Sequence, residues 1–143
     1  MPRILVVEDD PDVRLFLEHV LLDAGYEVGV AENVKGGCEL LDEVRYDLVL
    51  TDGRLPDGTG MAVADAAKEK GIPALILTGY AFILRELAGA DPGKYRVLLK
   101  PMRAEEIKAA VADALARRSY DPNQGAPSLI ADKPLKVLPP IGY

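Results

Sequence analysis

Residues 3–11 read Arg-Ile-Leu-Val-Val-Glu-Asp-Asp-Pro, and the fold is decided by how this stretch is read. Four aliphatic residues in succession, 4–7, predict a short strand covered on both faces rather than one with a wet side. The run stops at Glu8, Asp9 and Asp10, and Pro11 follows. Asp10 is suited to cap a helix whose first position is Pro11. Val13, Leu17, Val20, Leu21 and Ala24 then fall on one helical face, and Gly25 is a stop signal. A buried strand feeding an amphipathic helix is half of a strand–helix–strand unit.

The rest of the chain repeats that unit. Residues 48–50, 74–77 and 97–99 are similar apolar runs, read as buried strands, and Glu27–Ala31 is a weaker one that contains Gly29. The weak run suits a sheet edge. A second helix is expected from near Asn33 through Leu40, Leu41 and Val44, a third over 61–70 ended by Gly71, and a fourth over 80–89. The last is expected over 104–118 with Ile107, Val111, Ala114 and Leu115 inward. Five alternations of strand and helix require parallel strands joined by right-handed crossovers, with helices on both faces. The expected class is α/β, a doubly wound five-stranded parallel sheet of order 2-1-3-4-5, with the weak second strand at an edge. Ligands of such sheets gather beyond the carboxyl ends of the strands.

Composition narrows the function classes. The chain has 143 residues, 49% hydrophobic and 28% charged, which accommodates one folded domain, expected over residues 1–118. Its apolar runs are too short to cross a membrane, and the early acids are unlike a signal peptide, so a cytoplasmic location is expected. A net charge of -6 argues against direct nucleic-acid binding. Cys38, the only cysteine, reads as a buried structural thiol, and His19, the only histidine, as a solvent-facing helix residue. Residues 119–143 hold five of the eleven prolines and show no amphipathic period. This Pro-rich tail is expected to be extended, or to present Leu135, Val137, Leu138 and Ile141 as a docking strip.

What ends each strong strand is more informative: Glu8 and Asp9, then Asp52, then Thr78, then Lys100. The expected sheet sets these ends side by side. Isolated acids in loops have turn and capping explanations, whereas three acids, a hydroxyl and a lysine at one edge do not. Carboxylates about 4 Å apart repel by roughly 4 kcal/mol at an effective dielectric of 20. A hard divalent cation relieves this, and Mg²⁺ suits a site of few carboxylates completed by water and phosphate oxygens. Asp52 is then a plausible nucleophile towards phosphorus.

The motifs RILVVEDDP, YDLVLTDGRLPDGTG, IPALILTGY and VLLKP stand in an order and spacing similar to those of the receiver (response-regulator) family, over residues 3 to about 117. The resemblance implies a flavodoxin-like receiver fold and a two-component phosphorelay function switching protein contacts. It implies Asp52 as phosphoacceptor, Asp9 and the Arg54 backbone carbonyl as further Mg²⁺ ligands, and Glu8 acting through water. Thr78 would be the switch hydroxyl, Lys100 the phosphate-binding cation, and Lys100–Pro101 a cis peptide. Expected partners are a sensor histidine kinase or histidine phosphotransfer protein and a downstream output protein. No catalysis is expected beyond the chain's own phosphorylation and dephosphorylation.

The chain departs from the pattern at Val97 and at Gly79–Tyr80, which follow Thr78 where a small and often a polar residue are expected. Many receivers carry an aromatic residue where Val97 stands; Tyr95, two residues earlier on the same strand face, is a candidate substitute. Arg54 and Tyr80 are expected to flank the site and restrict the hydrolytic water. The fourth helix is apolar at consecutive positions, Ala81 to Leu84 and Leu87, so part of it is expected to be exposed and, with the fifth strand, to offer a homodimer surface. Two other readings remain at this stage. One is a phosphate-independent adaptor with receiver architecture. The other is a haloacid-dehalogenase-type phosphatase, whose paired acids are not matched, because Arg54 stands where the second acid would be.

Overall fold

The structure is a computed structural model and describes residues 1–82 and 94–118. Strand β1 (Arg3–Val7) runs into α1 (Pro11–Asp23), followed by β2 (Glu27–Ala31) and α2 (Val34–Glu43). Next come β3 (Leu48–Asp52), a hairpin of two very short strands, β4 (Arg54–Leu55) and β5 (Gly58–Thr59), and α3 (Gly60–Glu69). The chain continues through β6 (Ala74–Thr78), α4 (Tyr80–Phe82), β7 (Arg96–Leu99) and α5 (Ala104–Arg118). The main sheet has the order β2-β1-β3-β6-β7, and all its pairings are parallel. Counting only its five strands, this is the expected 2-1-3-4-5 order.

Period-two alternation within β1 divides the core into two layers. Ile4 and Val6 join Leu17, Val20 and Leu21 of α1 and Ile107, Val111 and Ala114 of α5 on one face. Leu5 and Val7 join Leu41 of α2 and Val63 and Ala67 of α3 on the other. Each such aliphatic side chain, when fully buried, contributes about 1.5–3 kcal/mol. The cap expected at Asp10 is present: its side chain accepts from the backbone N–H of Asp12 and Val13.

The edge strand β2 owes its glycine to a neighbour rather than to weak burial alone. A Cβ at Gly29 would run into the hydroxyl of Tyr46, which is 3% exposed, so the tyrosine lies across the strand at that point. The hairpin has a similar local logic. Asp57 at its tip accepts from the backbone N–H of Val34 at 2.8 Å and of Lys35 at 3.0 Å, tying β3's outgoing loop to the first turn of α2.

Three sequence expectations need correction. Residues 97–99 are not a fully covered strand: β7 is the second sheet edge, with Val97 and Leu98 half-buried and Leu99 47% exposed. Ala24 is the exposed C-cap of α1, one position beyond the helical face it was assigned to. Cys38 is half-buried rather than buried, and its partial burial raises the thiol's pKa. The fourth helix shows one exposed residue, Ala81, beside buried Phe82; residues 83–89, and with them most of the expected dimer surface, lie outside the described residues. So does the Pro-rich tail, 119–143. Among the described residues no helix is long and apolar enough to cross a membrane.

Candidate functional site

Four strands deliver the site from their carboxyl ends. β1 ends beside Glu8 and Asp9, β3 on Asp52, and β6 on Thr78; β7 leads into Lys100. Parallel register sets Asp52 beside Leu77 and Thr78 beside Leu99, so the four ends lie along one edge. Carboxylate oxygens of Glu8, Asp9 and Asp52 all lie within 4.8 Å of one another. Lys100 Nζ stands 3.2 Å from Glu8 Oε1 and 3.5 Å from Asp52 Oδ2. The Lys100 backbone N–H donates to the Thr78 carbonyl at 2.8 Å, and the Lys100–Pro101 peptide is cis.

Each acid is held differently. Glu8 is 2% exposed and accepts from the Asp10 backbone N–H at 3.2 Å. Burial, and next the charge of Asp52, push its pKa up from 4.5 to about 7, against the opposing pull of that N–H and of Lys100. Asp52 Oδ1 accepts from the Gly53 backbone N–H at 2.7 Å. Asp9 is exposed at the rim. Arg14, one turn into α1, donates to the Glu8 carbonyl at 2.9 Å and the Asp9 carbonyl at 3.4 Å, bracing the acidic turn from behind.

Two glycines let the backbone close around Asp52. A Cβ at Gly60 would strike the Asp52 carbonyl, and the Gly60 N–H donates to the Gly53 carbonyl at 2.8 Å. This brings the start of α3 over the end of β3. A Cβ at Gly53 would lie 2.6 Å from Thr78 Oγ1 and 2.8 Å from the Phe82 ring, so both side chains pack onto that glycine.

The residues proposed as modulators are dispersed. Arg54 is exposed on β4 with its Cζ 5.8 Å from the centre of the Phe82 ring. The Tyr80 side chain lies outside the described residues. Tyr95 precedes β7, at the end opposite the acids, and its hydroxyl donates to Asp65 of α3 at 2.9 Å. The odd–even count took it for a strand residue facing with Val97, but it stands before the strand begins and turns towards α3.

Glu8, Asp9 and Asp52 are the residues able to hold a metal ion here. Three carboxylates face one ammonium, and a pair 4.8 Å apart still repels by about 3 kcal/mol at an effective dielectric of 20. An all-oxygen donor set with a deficit of positive charge fits a hard divalent cation.

The model of the response regulator receiver domain matches residues 4–112. The chain belongs to this family. It is a receiver domain of two-component signalling, with the flavodoxin-like fold of that family. The receiver is 33% identical over 119 residues to the response regulator protein PilR of Pseudomonas aeruginosa, covering 82% of this chain and 27% of PilR. It is 34% identical over 129 residues to the response regulator MprA of Mycobacterium sp. (strain KMS), covering 89% of this chain and 56% of MprA. It thus spans about a quarter of one of these relatives and a little over half of the other. Among solved structures, the response regulator TrrA of Thermotoga maritima, in complex with Mg²⁺-BeF, superposes with a TM-score of 0.68 at 32% identity. That match covers 80% of this receiver and 99% of TrrA's chain.

Sequence reasoning missed Arg14, Asp57 and Phe82. Arg14 and Asp57 act on backbone groups, which leave no side-chain pattern to read. Phe82 was noted only as part of an apolar helix; its proximity to Thr78 depends on the turn at Gly79, which has no periodicity.

Proposed function

We propose that this receiver accepts a phosphoryl group on Asp52, with Mg²⁺ bound, and that the change switches its contacts with other proteins. The observation that carries this reading is the position of Asp52: within 4.8 Å of Glu8 and Asp9, and 3.5 Å from Lys100 Nζ, which also contacts Glu8. Asp9, Asp52 and the Arg54 carbonyl would hold the cation, with Glu8 acting through water. The cation, when bound, offsets carboxylate charge and charge on the phosphoryl oxygens.

The chain's own groups do the rest. The Gly53 N–H fixes the Asp52 carboxylate, which keeps the nucleophile oriented before a donor arrives. The Lys100 ammonium neutralises charge gathering on the transferred group. The Thr78 hydroxyl, 3% exposed at the end of β6, donates to a phosphoryl oxygen, and its movement towards that oxygen is the switch. Donors are a sensor histidine kinase or a histidine phosphotransfer protein, and the output is a protein partner. Exposed Arg54 at the rim restricts the hydrolytic water. Incubation with Mg²⁺ and acetyl phosphate tests the reading: the wild-type chain should gain one phosphoryl group and Asp52→Asn none. Equal labelling of both proteins would overturn it.

A further inference from the structure

Phe82 is 4% exposed at the start of α4, and nothing in the reaction as described so far uses it. Two of its ring-edge carbons, Cδ2 and Cε2, lie 2.8 Å from the point where a Gly53 Cβ would stand, and Thr78 Oγ1 lies 2.6 Å from that same point. The ring edge and the hydroxyl therefore border one small space, the one that a side chain at residue 53 would fill. The backbone N–H of that glycine holds Asp52 Oδ1 at 2.7 Å. The ring also meets the Arg54 guanidinium, with Cζ 5.8 Å from the centroid, a cation–π distance. Arg54 is exposed and Phe82 is not, so the ring is the fixed member and the arginine the arm laid over it.

A threonine side chain has three staggered wells, and close packing decides among them. Beside Thr78, the space left open at Gly53 is bordered by the Phe82 ring. We propose that Phe82 is a positioning residue for phosphoryl transfer to Asp52: its ring, packed on Gly53 and held by the Arg54 guanidinium, sets where the Thr78 hydroxyl stands. This rests on the phosphoacceptor reading above. In the step concerned, an Asp52 carboxylate oxygen forms a bond to phosphorus as the bond from phosphorus to the donor's leaving group breaks. With acetyl phosphate as donor the bonding pair leaves on acetate, and no proton is gained or lost.

The test measures the rate constant for Asp52 phosphorylation by acetyl phosphate with Mg²⁺ in the wild type, Phe82→Leu, Thr78→Ala and the double variant. Leucine keeps an apolar filler while removing the ring. Phe82→Leu should lower the rate constant roughly threefold to tenfold, as expected for a misplaced transition-state donor. The double variant should be no slower than Thr78→Ala alone, because without the hydroxyl there is nothing left to position. Arg54→Met should cause a smaller loss in the same direction. A purely structural role would lower stability without this dependence on Thr78. Should Phe82→Leu fail to fold, Phe82→Met, a flexible apolar filler without the ring, should show the same coupling. A wild-type rate in Phe82→Leu, or losses that multiply with Thr78→Ala, overturns the inference alone. Absence of phosphoryl uptake on Asp52 in the wild type overturns it together with the phosphoacceptor reading.

Discussion

Replacing Glu8 with glutamine should make the metal-free protein more stable at about pH 8, an unusual result for a buried residue at a functional site. The carboxyl of Glu8 ionises near 4.5 in the unfolded chain and at about 7 in the fold, chiefly because it is buried and secondarily because Asp52 is near. A folded-state pKa above the unfolded one means that the native state binds the proton more tightly. That share of stability is complete below pH 4.5 and is lost as pH rises through about 7. At 1.36 kcal/mol per pH unit the full difference is about 3 kcal/mol. Glutamine has the shape of the protonated side chain and cannot ionise, so Glu8→Gln escapes the loss. Urea denaturation in the presence of a chelator should show the variant more stable by about 1–3 kcal/mol near pH 8, with the gap closing towards pH 4.5. Adding Mg²⁺ should stabilise the parent more than the variant, because the cation compensates the ionised carboxylate. A glutamine variant that is less stable at high pH, or a gap that does not depend on pH, would refute the reasoning.

Further outcomes follow from the packing. Gly29→Ala should cost about 1–3 kcal/mol by overpacking against the Tyr46 hydroxyl, and Tyr46→Phe in the same chain should recover part of it in urea unfolding. Asp57→Ala should lower the thermal midpoint at neutral pH, since the two α2 N–H groups lose their acceptor. Those bonds hold the Asp57 pKa below the usual carboxylate value, so its contribution is present above the unfolded pKa and lost as pH falls through the folded one. The parent and Asp57→Ala should therefore converge in acid. Arg14→Ala should loosen the acidic turn, read as weaker Mg²⁺ uptake by calorimetry with the midpoint of unfolding little changed.

The sheet was legible because its information is spread along the chain. Residues 4–7, 48–50 and 74–77 are unbroken aliphatic runs, and strands covered on both faces require that composition. The edge position of β2 was readable from Gly29, although the reason, the tyrosine lying across it, was not. β7 misled because Val97, Leu98 and Leu99 are as apolar as a central strand, while exposure at an edge depends on what packs beside it. The gathering of Glu8, Asp9, Asp52 and Lys100 was legible from strand ends alone, since parallel order converts sequence-distant positions into neighbours. Contacts made through turns were hidden. The hairpin strands β4 and β5 have two residues each, too few to carry a period. Tyr95 was placed by carrying the alternation of residues 97–99 back two positions, whereas the strand begins at Arg96.

Which carboxylate takes the phosphoryl group is the question on which the account stands. Reducing the acetyl phosphate-treated protein with borohydride converts an acyl-phosphorylated aspartate to homoserine, which peptide mass spectrometry locates. Conversion is expected at residue 52 alone, and only when a divalent cation was present during labelling. Conversion at Asp9, at another acid, or without the cation would contradict it.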